Sequence, residues 1–220
     1  MLNIMTITKY AQSCFLVRYR GLAVLIDPGM YCYKGGFQPS EWPKVDALLL
    51  THVHRDHMLP EAVQAVDRKS RSVVLANEEV ARMLSEHNVH AKVLKPKEIK
   101  TIKGVPITGV WQLHGELPNR SPKPDVIGFL IDHALYHPGD TVATDSPPYA
   151  DVVAVPMCGQ VTMNPEEAAA WVKKINPQLA IPMHYHNSKF ITDPELFVRA
   201  MTGSGISVKV LQNGESIEIE

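Results

Sequence analysis

Cysteine is scarce. Three are present in 220 residues, at positions 14, 32 and 158, an odd number at wide spacing. That excludes a disulfide framework and fits a reducing cytosol, so a cytoplasmic protein is expected. Cys14 and Cys158 lie in apolar contexts and read as packing residues. Long hydrophobic runs are also lacking. Nothing approaches the roughly 20 apolar residues of a spanning helix, so no membrane partner is expected. The opening MLNIMTITKYAQSCF shows no basic stretch followed by an apolar one, so no secretory signal is expected in it. An excess of one charge is missing too: Lys plus Arg is 22, Asp plus Glu is 23, and the formal net charge is −1. A dedicated binder of long nucleic acid concentrates Lys and Arg, so that class is set aside. No low-complexity tract or linker divides the chain, and its length suits one domain spanning 1–220. The hydrophobic content of 45% leaves room for a homo-oligomer interface without locating one.

What is present is a series of short apolar runs broken by turn residues. NIMTITKY, CFLVRY and LAVLIDPG read as three successive strands, the last ended by Pro28 and Gly29. VDALLLTH is nearly continuous in apolar residues and predicts a strand covered on both faces. PEAVQAVDRK reads as a helix with Pro60 in its first turn, and NEEVARMLSEH as a helix opened by Asn77. A strand-rich middle follows, then DVVAVPM as a buried strand. NPEEAAAWVKKI is the clearest helix, with Asn164 as N-cap, Pro165 at N1 and Glu167 at N3. LAIPMHYH reads as a strand, DPELFVRAM as a short helix, and SVKVL and ESIEIE as closing strands. This order predicts an α/β protein with two sheets packed face to face and helices outside, an αββα sandwich. Two longer irregular stretches, 27–43 and 114–125, are candidates for functional loops.

The stretch LLLTHVHRDHMLP crowds His52, His54, Asp56 and His57 into six positions at the end of an apolar run. Without a cation, such groups repel and desolvate one another. His52 and His54, at i and i+2 on an extended segment, point to the same side, roughly 7 Å apart. Asp56 and His57 follow in the turn before the Pro60 helix. The cluster therefore predicts metal binding. It is not a whole site. His114, Asp140 and His184 each follow an apolar strand and open into a turn, which makes them further candidates.

The segment THVHRDH, with a later His, an Asp in the HPGDT turn and a final His, resembles the metallo-β-lactamase superfamily. LIDPG, PMCGQVTMNPEEAA and IPMHY are similar to its small stand-alone metal-dependent hydrolases related to ascorbate-6-phosphate lactonase. The resemblance runs across nearly the whole chain and implies the αββα fold. It implies two divalent ions: one held by His52, His54 and His114, a second by Asp56, His57 and His184, with Asp140 bridging. His186 is the alternative to His184 as last ligand, since i and i+2 share a face. Asp27 is expected to orient a ligand histidine, and His137 is a second candidate for that role. A set of N and O ligands without Cys fits zinc first, with manganese or iron as alternatives.

The implied chemistry is a metal-dependent hydrolase in which a metal-bridging hydroxide attacks a small ester, lactone or phosphodiester. Asp56 would orient that nucleophile and take its proton. His186 would protonate the leaving group. Within these 220 residues no counterpart is expected of the C-terminal helical domain of glyoxalase-II-like enzymes, the arm of transfer-RNA nucleases or the flavin domain of flavodiiron reductases. Three rivals remain: a phosphodiesterase or nuclease on nucleic-acid fragments, a mononuclear iron oxygenase on the same fold, and a metal-binding scaffold without turnover. Arg120 and Lys123 offer contacts to an anionic group of a small-molecule substrate. Tyr31, Tyr33, Phe37 and Trp42 either wall the pocket or form a lid packed on the sheet.

Overall fold

The computed structural model describes residues 4–34, 36–39, 41–143, 145–186 and 191–220. Fourteen strands form two sheets of seven among these residues. The first sheet holds β1 (Met5–Ala11), β2 (Cys14–Tyr19), β3 (Leu22–Ile26), β4 (Ala47–Leu50), β5 (Val73–Ala76), β6 (Ala91–Val93) and β14 (Ser216–Ile219). Its order is β14-β1-β2-β3-β4-β5-β6. The second holds β7 (Ile99–Ile102), β8 (Val105–Gln112), β9 (Val126–Ile131), β10 (Leu135–His137), β11 (Val152–Pro156), β12 (Leu179–Met183) and β13 (Ser207–Val208). Its order is β13-β12-β11-β10-β9-β8-β7. The helices are α1 (Met30–Lys34), α2 (Pro60–Ser70), α3 (Glu78–Ser85), α4 (Pro165–Ile175) and α5 (Pro194–Ala200).

The period-2 alternation of side chains builds three apolar layers. In β4, Ala47 and Leu49 face the other sheet and, with Ile7 and Phe15 of their own sheet, share a buried layer with Ile107, Phe129 and Ala154 of the second. Leu48 and Leu50 face outward onto Val63 and Val66 of α2 and Val80 and Leu84 of α3. On the opposite outer face, Val153, Val155 and Ala180 pack under Trp171 and Val172 of α4 and Phe197 of α5. The layers are helix, sheet, sheet, helix, as the run of elements predicts. A strand buried on both faces needs apolar residues at every position, which is why VDALLLTH shows no alternation.

Local chemistry closes the elements. Asn164 accepts from the Glu167 amide, Glu167 reaches back to the Asn164 amide, and Pro165 occupies the first turn, completing the capping box at α4. Asn77 caps α3 by accepting from Val80 N. Two readings shift. The stretch 27–43, expected to be irregular, carries α1, whose Cys32 is buried against the first sheet. β12 stops at Met183 rather than running through His186, because His184 takes a left-handed backbone with φ 63°.

β4, β8, β10 and β12 all end at the same edge of the sandwich. β8 and β10 each pair antiparallel with β9, and β10, β11 and β12 run parallel, so their C-terminal ends coincide. The residues that follow these four strands therefore converge from both sheets.

Candidate metal centre

Those residues are His52 and His54 after β4, His114 after β8, Asp140 after β10 and His184 after β12. Asp56 and His57 sit in the turn leading to α2. Three groups have ligand atoms within 4.8 Å of one another: His52, His54 and His114; His52, His57 and Asp140; Asp56, His57 and His184. Asp140 joins them. Its Oδ2 lies 3.1 Å from His184 Nε2, 3.6 Å from His114 Nε2 and 4.0 Å from His52 Nε2, and its Oδ1 lies 3.1 Å from His57 Nε2. All seven candidates from the sequence are thus brought together. His186 is not among the three groups. It is exposed, pairs as an isolated bridge with Ile191, and its ring centroid lies 4.8 Å from that of Tyr185.

Hydrogen bonds behind the cluster turn the imidazoles. Thr51 N and Thr51 Oγ1 donate to the two oxygens of Asp27 at 2.8 and 2.7 Å. With its proton so committed, Thr51 Oγ1 accepts from His52 Nδ1 at 3.0 Å. His57 Nδ1 donates to Asp27 Oδ2 at 2.7 Å, and His114 Nδ1 donates to Gly115 O at 2.8 Å. His52, His57 and His114 are each left presenting Nε2. His137 links the sheets: its Nε2 donates to Ser13 O at 2.9 Å and its Nδ1 accepts from Gly139 N at 3.3 Å. Two glycines permit close approaches. A Cβ on Gly29 would sit 1.9 Å from Asp56 O, and one on Gly139, at φ 69°, would sit 2.7 Å from Thr51 Cβ.

The electrostatics call for cations. His114 Nε2, both nitrogens of His184 and Asp140 Oδ1 are buried without an aligned hydrogen-bond partner among the described residues, despite the short contacts above. Burial opposes charge on His57, yet the Asp140 and Asp27 carboxylates overcome it and push its pKa up to about 10. His184 moves up likewise, against its burial, through Asp140. Burial favours a neutral Asp56, but its contact with His184 and the charges of His57 and His184 hold the carboxylate well below its usual range. Burial, reinforced by His57, drives His52 down. Protons on His57 and His184 play the part that a divalent ion takes over when it binds. The donor set of imidazoles and carboxylates, with its orphaned buried atoms, fits such ions.

The sequence model of the β-lactamase superfamily domain matches residues 6–184. The chain belongs to the β-lactamase superfamily. A UPF0173 metal-dependent hydrolase of Caldivirga maquilingensis is 32% identical, covering 94% of this chain and 95% of its own. Among solved structures of the superfamily fold, Igni18, a metallo hydrolase of Ignicoccus hospitalis, aligns with a TM-score of 0.78 at 22% identity, covering 99% of both chains. CmlA, a diiron β-hydroxylase of Streptomyces venezuelae, aligns with a TM-score of 0.76 over 99% of this chain and 54% of its own, at 16% identity. At those identities the two structures speak for the fold alone.

Several candidates around the superfamily site resolve in the structure. Trp42 is buried on the outer face of the first sheet, with Tyr31 and Phe37 packed against the same cluster, so these three form the lid rather than a pocket wall. Lys123 is engaged by Glu116 at 2.5 Å, whereas Arg120 is exposed. A cleft of about 510 Å³ opens beside His114, lined by Trp111, Leu113, Lys123 and Val126 among others. Cys158, read as packing, instead stands beside His184. Burial raises a thiol, but the neighbouring His184 brings Cys158 down to about 7, and Thr162 Oγ1 donates to its sulfur at 3.3 Å. Nothing local marks that contact, because Cys158 and His184 follow different strands.

Proposed function

We propose that the chain is a hydrolase dependent on two divalent cations, zinc first and manganese or iron as alternatives. Its substrate would be a small ester, lactone or phosphodiester. The carrying observation is Asp140, whose Oδ2 lies against His52, His114 and His184 and whose Oδ1 lies against His57, so that one carboxylate touches both groups of histidines. One ion would be held by His52, His54 and His114, the other by Asp56, His57 and His184, with Asp140 shared. When bound, such a pair supplies Lewis acidity and brings the pKa of a shared water toward neutrality. The relatives named metal-dependent hydrolases support the reading.

The chain's own groups do the rest. Asp56 directs Oδ2 to His184 Nε2 at 3.3 Å, and its other oxygen is the acceptor for the proton of the attacking water. His186, exposed at the rim, donates a proton to the leaving group. Arg120 receives an anionic group of the substrate. Cys14, Cys32 and Cys158 are unpaired, which supports a cytoplasmic location. No helix among the described residues is long and apolar enough to cross a membrane.

The test is metal content by mass spectrometry, on protein purified without added metal or chelator, beside a His57→Ala variant. About two equivalents falling toward one support the paired site, and a panel of lactones, esters and phosphodiesters then identifies the bond cleaved. Oligonucleotide fragments in that panel address the nuclease alternative. One equivalent of iron, unmoved in the variant and accompanied by oxygen consumption, overturns the hydrolase in favour of an oxygenase.

A further inference from the structure

Gln12 occupies the tip of the β1–β2 hairpin, between the paired residues Ala11 and Cys14. Its neighbour Ser13 is part of the metal end: Ser13 Oγ lies 3.5 Å from His57 Nε2, and Ser13 O accepts from His137. Gln12 is only 3% exposed. Neither Nε2 nor Oε1 of its carboxamide has a hydrogen-bond partner among the described residues. Its backbone is held at φ 53°, a conformation that favours glycine.

A buried amide with both ends unpaired is costly, and a methionine of the same length would fill the space without that cost. Packing therefore accounts for the methylenes of Gln12 but not for its amide. The other buried polar side chains near this end have partners: Lys9, Asp27, Thr51, His137 and Thr162 all hydrogen-bond. The orphaned atoms that share this end belong to His114, Asp140 and His184, the groups assigned to cations. The orphaned indoles of Trp42 and Trp171 lie in the helix-covered layers, and the orphaned hydroxyl of Ser72 precedes β5, at the opposite end of the first sheet. Gln12 thus resembles the ligands in being incomplete, yet a carboxamide is a weak cation ligand and a good partner for polar organic groups.

We infer that Gln12 is a substrate-contacting residue whose amide NH₂ donates to an oxygen of the scissile acyl group while its carbonyl accepts from a neighbouring hydroxyl or amide N–H of the same molecule. The inference rests on the hydrolase reading and narrows its substrate to one with a hydrogen-bond donor beside the bond cleaved. The buried ammonium of Lys9, on the strand that leads to Gln12, is committed elsewhere, to Tyr185 OH at 3.0 Å and Leu211 O at 3.2 Å.

The test compares the zinc-loaded wild-type chain with Gln12→Met on two substrate pairs. One pair is α-hydroxy-γ-butyrolactone and γ-butyrolactone; the other is the p-nitrophenyl esters of glycolic and acetic acid. Zinc content and thermal midpoint are read alongside. The expected result is a wild-type preference for the hydroxylated member that falls tenfold or more in the variant, mainly through KM, with zinc retained and an equal or higher midpoint. A wild type that does not prefer the hydroxylated member, or a preference unmoved in Gln12→Met, overturns the assignment of Gln12 and leaves the hydrolase standing. A lower midpoint with zinc lost makes Gln12 structural and overturns it too. Failure of the wild type to hydrolyse any of the four, fully loaded with zinc, removes the lactone and ester reading and this inference with it.

Discussion

His57 Nδ1 donates to Asp27 Oδ2 at 2.7 Å, and neither side chain is exposed. Asp27 closes β3 and His57 precedes α2, so the contact spans two connections in the first sheet. It fixes the imidazole's tautomer and aims Nε2 at Asp140. Asp27→Asn keeps the shape but weakens this contact and leaves a buried amide facing Thr51. The expected outcome is a loss of roughly 10- to 100-fold in affinity at the site that includes His57, with the His52, His54 and His114 site less affected. Competition with a chromophoric chelator reads both affinities. Equal weakening of the two sites would contradict the assigned role.

Metal binding must displace protons. The metal-free chain holds the His57 proton up to about 10, and His184 is also raised. Both folded values lie above that of the unfolded chain. The stability they add to the metal-free protein is therefore present in full below about pH 6.5 and lost as pH rises through about 10. Affinity for the cation follows the opposite course and strengthens with pH over that window. Calorimetric titration with zinc at pH 8, in buffers of different ionisation heat, should show release of at least one proton. Zero release would refute the proton's role as stand-in.

Lys9 points between the sheets and is 1% exposed. Burial lowers its pKa to about 8, and the charge of Glu215 only partly compensates. The unfolded chain thus binds more protons than the folded one between about pH 8 and 10.5. Wild-type stability should rise with pH across that window relative to Lys9→Met, by roughly 3 kcal/mol at full development. Denaturant unfolding of both metal-loaded proteins at pH 7.5 and 10 measures the difference. An unchanged gap would mean that Lys9 is neutralised by another route.

Gly139 precedes the shared carboxylate. In Gly139→Ala the new Cβ would meet Thr51 Cβ at 2.7 Å, and φ 69° adds strain. Both Asp140 and the Thr51–Asp27 contact should shift. We expect destabilisation of about 2 kcal/mol or more together with loss of bound metal. Normal metal content in a merely less stable variant would separate the turn from the centre.

The sequence by itself determined much of this protein, because the relevant physics is local. Alternation and apolar runs mark strands buried on one face or two, and Asn164, Pro165 and Glu167 mark a helix start. Chemistry-bearing residues at strand ends, His52 to His57 above all, mark a cluster of groups that repel without a cation. Strand ends also offered His114, Asp140 and His184 as candidates, and the resemblance to a family joined them to the cluster. Only the tertiary structure brought His184, and not His186, within reach of Asp56 and His57, since the left-handed backbone at His184 ends β12 and no pattern of apolar residues encodes it. It alone set Asp140 against both groups of histidines, placed Cys158 beside His184, folded α1 into the 27–43 stretch and left the Gln12 amide without a partner. Those facts depend on which strand ends meet across two packed sheets, and residues far apart in the chain carry no local sign of their contact.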